Sequence, residues 1–401
     1  MAGGSDGDRD LEARKREVCD TIDGIREGLI EASREIHARP ELAFEEHFAS
    51  ERLVALLRGA GIEVESGAYG LETAFAAEFG ASEGPCVAVL AEYDALPDVG
   101  HACGHNLIAT SGVGAGIALA ALGERLPGRV RVLGTPAEEH GCGKELMARE
   151  GALVGVDAAM MMHPSSANLV NMPCVCMSEV DVIYHGRAAH ASAMPDRGIN
   201  ALDALVLAYQ GIAALRQHIR PTERIHGIFT DAGKAPNVVP ERAAGRFYVR
   251  AATGAELDAL KPRVEGCFRA GAAATGADVE LRWGSADYLD IRYNEPLASA
   301  FRTNAEQLGR EFFPYDKLPA GLQGSTDMGN VSQRVPSIHP MLAAAPPHCT
   351  IHNPEFAKWA GSEMGDAAAI DGAKALAMTA LDFLADAELR ARTRAIFEAG
   401  G

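Results

Sequence analysis

Cations are scarce in this chain. Lys plus Arg number 37 against 55 Asp plus Glu, a formal net charge of −18. Binding to a phosphate backbone needs clustered positive charge, so a nucleic-acid partner is not expected. Long apolar runs are also missing. The longest small and apolar stretch, residues 107–123 (LIATSGVGAGIALAALG), is interrupted by Thr, Ser and four Gly, and it reads as a buried helix rather than a membrane span. The opening MAGGSDGDRDLEARK has neither the basic n-region nor the apolar core of a signal peptide, and roughly its first ten residues read as a disordered lead-in. No two of the eight cysteines have C-x-x-C spacing, which argues against zinc ribbons and thioredoxin-like sites. Scattered cysteines without an export signal fit reduced thiols and a cytoplasmic location.

Several catalytic signatures are absent as well. None of the 13 His is followed by Glu, and no H-x-x-E-H run occurs, so neither type of zinc helix is present. There is no P-C-x-x-C deaminase signature. There is no phosphate-binding G-x-x-x-x-G-K-[ST] loop. The one G-x-S-x-G run, GASEG at residues 80–84, is followed by an apolar strand and not by a helix, so it is no nucleophile elbow and a serine hydrolase is not expected. The run GVGAG at residues 112–116 falls inside a helical pattern and reads as close helix packing, not as a dinucleotide site.

What is present is an ordinary globular composition, 47% hydrophobic and 23% charged over 401 residues, enough for two domains. Residues 11–38 carry one long helical pattern and residues 48–60 a second. Apolar strands at 86–92, 129–134 and 157–162 then alternate with helices at 107–122 and 144–150, the pattern of a largely parallel sheet covered by helices. Past about residue 177 the pattern changes. Strands at 179–185, 224–230, 245–250 and 278–283 and helices at 201–218 and 255–274 give the order β-α-β-β-α-β, a ferredoxin-like unit. Helical patterns return at 296–309 and 370–385. The expected organisation is an α/β catalytic domain built from residues 1–177 and 291–401, interrupted by an inserted domain at 178–290.

Ligand-type residues fall at the ends of the apolar strands, where open α/β sheets place their sites. The first strand is followed by AEYDALPDVGHACGHN, the second by PAEEHG and the third by MMMHPSS. Cys103 and His105, two apart in a turn before a helix, can grip one metal or bridge two; a buried Cys beside a capping His would look the same. Glu138 and Glu139 repel each other if buried. A metal on one would relieve this, and the other would then be placed to act as general base. A solvated acidic loop is the plainer alternative. His163 at a strand exit and His352 in TIHNPEF would each pass alone for a structural His. Four such features at successive element ends point to one metal centre.

At these residues the chain resembles the co-catalytic metallopeptidases and amidohydrolases of clan MH, the group that includes aminoacylase, glutamate carboxypeptidase and auxin-conjugate amidohydrolases. IHARPELAFEEH, AEYDALP, HACGHN, PAEEHG, GRAAHAS, APNVVPERA, GSTDMGNV and IHNPEF follow in that family's order over nearly the whole chain. A bridging Cys is the mark of the auxin-conjugate branch, while EYDALP and GHACGHN are more similar to aminobenzoyl-glutamate hydrolases and β-alanyl-dipeptide-type members. The resemblance implies an amide-bond hydrolase acting on an N-acyl amino acid, an aminobenzoyl-glutamate-like conjugate or a dipeptide. It implies two divalent ions (zinc, manganese, cobalt or nickel) bridged by Cys103 and completed by His105, Glu139, His163 and His352. Glu138 would be the acid/base, and Asp94 would orient a ligand from behind. The inserted domain would be a lid and dimerisation domain, making a homodimer in which His190 stabilises the oxyanion in the partner's site. Asn237 would help bind substrate, and Arg250 would meet a substrate carboxylate. Two departures stand out. Glu92 occupies the place of a ligand His in many members, and Asn106 the place of an Asp in the auxin branch. The competing class is a non-catalytic, metal-containing binding protein for amino-acid conjugates.

Overall fold

The computed structural model describes residues 6–314 and 323–400. Along the chain the elements are α1 (Asp6–Gly24), α2 (Arg26–Ala38), α3 (His47–Gly59), β1 (Glu65–Ser66), β2 (Phe75–Gly80), β3 (Cys86–Glu92), α4 (His105–Ala120), β4 (Arg129–Thr135), α5 (Gly143–Arg149), β5 (Ala158–Met160) and β6 (His163–Ser165). Next come β7 (Cys176–His185), α6 (Ala201–Leu215), β8 (Arg224–Asp231), β9 (Arg242–Ala251), α7 (Gly254–Thr275) and β10 (Asp278–Trp283). The chain finishes with α8 (Glu295–Gln307), α9 (Met328–Ser332), β11 (Ser337–Ile338), β12 (Met341–Ala343), α10 (Pro354–Ala360), α11 (Glu363–Ala385) and α12 (Ala387–Glu398). It divides into two compact units, Cys174–Asp290 and the remainder. No helix among the described residues is long and apolar enough to cross a membrane.

Two expectations for the N-terminus are corrected. The single helix over 11–38 is two helices, because Ile25 after Gly24 leaves the helical region with ψ 5°. The supposed lead-in is helical from Asp6 onward, and residues 1–5 lie outside the described residues.

The larger unit is built on a six-stranded sheet in the order β1-β2-β4-β3-β5-β11. Its inner pairs β4-β3, β3-β5 and β5-β11 are parallel, and only β1-β2 and β2-β4 are antiparallel. All seven residues of β3 are buried. Because side chains alternate between faces, Val87, Val89 and Ala91 feed one core with Leu29, Val113, Phe301 and Leu376. Cys86, Ala88 and Leu90 feed the other with Met147, Met161 and Val331. A strand covered on both sides cannot show polar alternation, which is why it reads as a continuous apolar run. Helix α4 lies against the sheet with almost no clearance. A Cβ at Gly112 would sit 2.6 Å from the Leu90 carbonyl oxygen, and one at Gly116 would sit 2.4 Å from Val132 Cγ2. The glycine run is a packing device, as its helical spacing suggested.

The second unit carries a four-stranded antiparallel sheet in the order β10-β7-β9-β8. With α6 and α7 in the connections, this is the ferredoxin-like order β-α-β-β-α-β. Val180, Val182, Tyr184, Phe247 and Val249 pack beneath Leu205, Ala208, Val264 and Phe268 of the two helices. Asn200 and Thr253 cap the two helix starts by accepting backbone N–H bonds. The other sheet face is charged, with Arg246 donating to both Asp181 oxygens at 2.8 and 2.9 Å.

Candidate metal centre

Each strand end of the larger unit hands one segment to a common cleft. After β3 the chain turns through Gly104, whose φ is 84° and whose Cβ would lie 2.6 Å from Pro164 Cγ, so only glycine fits. The turn leaves Cys103 in the loop and His105 at the first residue of α4. After β4 comes a segment with Ala137 and Cys142 both at φ 60°, which carries Glu138 and Glu139 between them. Strand β6 begins at His163 and pairs with β12, with the His163 N–H donating to the Pro340 carbonyl at 2.9 Å. His352, at φ 64°, is pinned by its own N–H to the Ala102 carbonyl at 2.8 Å. Three non-glycine residues held in the left-handed region around one cleft are strain of the kind concentrated at functional sites.

Ligand-type atoms of Cys103, His105 and His163 lie within 4.8 Å of one another, and so do those of Cys103, Glu139 and His352. His105, Glu138 and Glu139 form a third such group. Cys103 is thus common to two clusters. Its Sγ is 3.4 Å from His163 Nε2, and His352 Nε2 is 3.4 Å from Glu139 Oε1. His105 Nδ1 bonds Asp94 Oδ1 at 3.0 Å, and His163 Nδ1 bonds the Pro164 carbonyl at 2.6 Å. Both rings therefore turn Nε2 into the cleft. Asp94 Oδ2 also accepts the Glu139 N–H at 2.9 Å, tying two of the segments together.

The electrostatics are those of buried donors gathered in one place. Burial, reinforced by Glu139, pushes the Cys103 thiol well above its ordinary range. Burial, then Glu92, Glu139 and Asp327, holds the Glu138 carboxyl well up. Burial would also raise Glu139, but His352, 3.4 Å away, and then His105 bring it below the ordinary carboxylate value. Burial lowers His163 to about 4. His105 Nε2 and Glu139 Oε1 are buried and make no hydrogen bond among the described residues. Unsatisfied buried acceptors are costly, and here they face a thiol, two further imidazoles and a second carboxylate. A cation-binding centre fits this donor set.

Of the other expected site residues, His190 and Asn237 are neighbours in the second unit: the Ala191 N–H donates to the Asn237 carbonyl at 3.0 Å. Both are exposed. His190 Nδ1 accepts the Ala193 N–H at 3.2 Å, which leaves Nε2 as a donor. Arg250 is not beside them. It lies towards the far end of β9, opposite Met177 and Arg224, with Nε 3.3 Å from His226 Nε2.

Both departures have local explanations. Asn106 is fully buried, and its amide donates to Ser33 Oγ and the Ala360 carbonyl, both at 2.9 Å, a pair of bonds that a carboxylate cannot make. Glu92 is held by Lys144, whose Nζ is 2.5 Å from Glu92 Oε2 and 2.7 Å from Asp327 Oδ1, with all three side chains at or below 1% exposure. The other Glu92 oxygen faces His105 Nε2 at 3.3 Å. Burial would raise Glu92, but Lys144 and then His105 bring it down.

Lys144, Asp327 and buried Glu46 were not singled out as individual residues by sequence reasoning. Asp327 and Glu46 sit inside GSTDMGNV and IHARPELAFEEH, so the segments were noted but the roles were not. Lys144 opens a helix, where a Lys ordinarily faces solvent.

A largely parallel α/β unit with carboxylates, imidazoles and a thiol converging at its strand ends defines an α/β protein with a candidate metal centre. The chain belongs to Peptidase family M20/M25/M40, whose family model matches residues 88–380. It is 43% identical over 389 residues to the Xaa-Arg dipeptidase of Mus musculus, covering 94% of this chain and 90% of that one. It is 34% identical over 300 residues to a p-aminobenzoyl-glutamate hydrolase chain of Escherichia coli, covering 69% and 62%. Among solved structures, the Bacillus subtilis YXEP protein, a dinuclear metal binding peptidase from the M20 family, shares the fold with a TM-score of 0.66 at 23% identity, over 90% of this chain and 99% of that chain.

Proposed function

We propose that the protein hydrolyses the amide bond of a dipeptide or N-acyl amino acid at a two-cation centre in which Cys103 is the shared ligand. The observation that carries this reading is the pair of donor clusters, Cys103-His105-His163 and Cys103-Glu139-His352, that have only Cys103 in common. Zinc suits a thiolate and imidazoles, and manganese, cobalt and nickel are the other ions to try. The chemistry such ions supply is Lewis acidity toward the carbonyl and a lowered pKa for the attacking water.

The chain's own groups do the rest. Glu138 takes the proton from the water and returns it to the leaving amine, a task suited to a carboxyl held up by burial and neighbouring carboxylates. Asp94 fixes the His105 ring and the Glu139 backbone. His190 presents an Nε2 donor suited to a developing oxyanion, and Asn237 beside it suits the substrate's polar groups. Arg250 is the candidate for a substrate carboxylate.

We assign His190 to the partner's site in a homodimer formed through the second unit. Strand β8 is the outer strand of its sheet and carries Ile228 at 65% exposure. Leu207 on α6 is 46% exposed, and α6 meets β8 through Tyr209 and Phe229, whose rings are 5.8 Å apart. An apolar outer strand of this kind favours pairing with a second copy. A reducing compartment such as the cytoplasm suits eight cysteines scattered along the chain with no C-x-x-C spacing.

The test is an amine-release screen on protein reconstituted with each metal, using dipeptides ending in Arg, then aminobenzoyl-glutamate, then N-acyl amino acids. Glu138→Gln should keep its metals and lose about 10²–10⁴-fold in kcat. Wild-type turnover in that variant would refute the assignment. A protein that only binds such conjugates would show no metal-dependent turnover at all.

A further inference from the structure

The segment IHARPELAFEEH has no part in the chemistry just described, yet it reaches three of the site's segments. His37 Nε2 lies 2.6 Å from the carbonyl of Ala357 in α10, the helix that follows His352. The Glu41 carbonyl accepts the Ala95 N–H at 2.8 Å, next to Asp94. Glu46 reaches the loop that carries Glu138 and Glu139.

Glu46 is fully buried. One carboxylate oxygen, Oε2, accepts the Thr73 hydroxyl at 2.8 Å, and the other, Oε1, accepts the backbone N–H of Ala137 at 2.8 Å. Ala137 is buried, is not glycine, and sits at φ 60° immediately before Glu138. Its carbonyl is also engaged, accepting the Gly143 N–H at 3.2 Å. A residue with a Cβ stays in the left-handed region only when its surroundings hold it there. Phe44 from the same segment closes over the loop: a Cβ on Gly141 would lie 2.4 Å from its ring.

We infer that Glu46 is a positioning residue for the hydrolytic reaction, clamping Ala137 in its left-handed conformation and so setting where the adjacent Glu138 points. This rests on the reading of Glu138 as the acid/base. The side-chain partners of Glu46 among the described residues are Thr73 and Ala137, neither of them a proposed metal ligand. It acts by geometry, through one N–H and a single intervening peptide. What matters is the reach of the side chain and the acceptor at its tip.

Two conservative substitutions separate reach from charge. Glu46→Asp keeps the carboxylate but shortens the side chain by one methylene, about 1.5 Å, so it cannot hold Thr73 and Ala137 together. Glu46→Gln keeps the reach and an acceptor oxygen for Ala137 but has no charge. Misplacement of a reacting group by about 1 Å costs about 10²-fold. In the metal-loaded full-length enzyme, Glu46→Asp is expected to lose about 10²-fold in kcat with little change in KM or metal content. Glu46→Gln is expected to recover the rate to within about fivefold of wild type, because the orienting bond is restored. If Glu46→Asp lowers only the thermal midpoint and keeps kcat, or if Glu46→Gln is the more damaged of the two, the clamp is wrong. Glu138→Gln assayed alongside separates the two ideas, since its failure to lose turnover would sink the acid/base reading itself. If Glu46→Asp does not fold, amide hydrogen exchange on the wild type decides. The Ala137 N–H should exchange as slowly as those of β4, and exchange at the rate of an open loop overturns the inference.

Discussion

Replacing Lys144 with Met would remove the ammonium that faces Glu92 and Asp327, both of which are fully buried. Breaking a buried ion pair by deleting one partner costs about 3–5 kcal/mol, because the remaining charge keeps its desolvation penalty. Two carboxylates are stranded here, with Glu138 nearby, so the upper figure applies. At about 2 °C per kcal/mol for a unit of this size, the midpoint falls by about 10 °C. The loss should grow with pH. Burial raises Asp327 to about 6 even beside Lys144, and removing the ammonium removes the largest charge that lowers both carboxyls. The variant then keeps its stability in acid and loses it as pH rises through the raised values. Urea unfolding followed by Trp359 fluorescence in a Trp283→Phe background reads the larger unit alone, since Trp283 lies in the second. Adding Glu92→Gln and Asp327→Asn to Lys144→Met should recover most of the loss, because neutral groups of the same shape leave no buried charge. A Lys144→Met protein within about 1 kcal/mol of wild type at pH 8, a loss no larger than an exposed pair costs, would refute the claim that this cluster is desolvated.

Cys103→Ala removes the donor common to both clusters, and metal affinity should fall by more than about 100-fold; chelator competition measures it, and retention of two tightly bound ions would contradict the shared-ligand role. Glu46 is raised from 4.5 to about 7 by burial and then by Asp94, so its contribution is fully present below pH 4.5 and is lost as pH rises through 7. Relative to Glu46→Gln, wild-type stability should therefore drop by about 3 kcal/mol from pH 4.5 to pH 8 in urea titrations. Mixing inactive His190→Ala and Glu138→Gln proteins should restore roughly a quarter of wild-type turnover, because half of randomly assorted dimers carry one intact site; no recovery would place His190 in its own subunit's site or outside the chemistry. Ile228→Lys combined with Leu207→Glu should yield a monomer by light scattering at concentrations where wild type is dimeric.

Much of the site was legible because its donors sit at the tips of apolar strands. Strand β3 and its neighbours are marked by residue type alone, and a Cys, His or Glu just beyond them has few reasons to be there. The ferredoxin-like order was legible for a similar reason: its strands have one solvated face, so β7 alternates. The short helices α10 and α12 were missed, although Asn353 before Pro354 and Asp386 before Ala387 cap them through backbone N–H bonds. A capping residue announces where a helix starts, not how far it runs. The Lys144 cluster was not readable at all. Its three members come from β3, the start of α5 and the end of the segment before α9, and only the folded chain brings them together.

The glycines of α4 bear on the site from a distance. His105 opens that helix, and Gly112 lies seven residues further on, about 10 Å along its axis, pressed against the carbonyl of Leu90. Nothing larger than hydrogen can occupy that contact unless the helix lifts from the strands, and lifting it swings the imidazole at its head. The level of the floor beneath the candidate metal centre is therefore decided by a residue with no side chain, buried out of sight of the cleft.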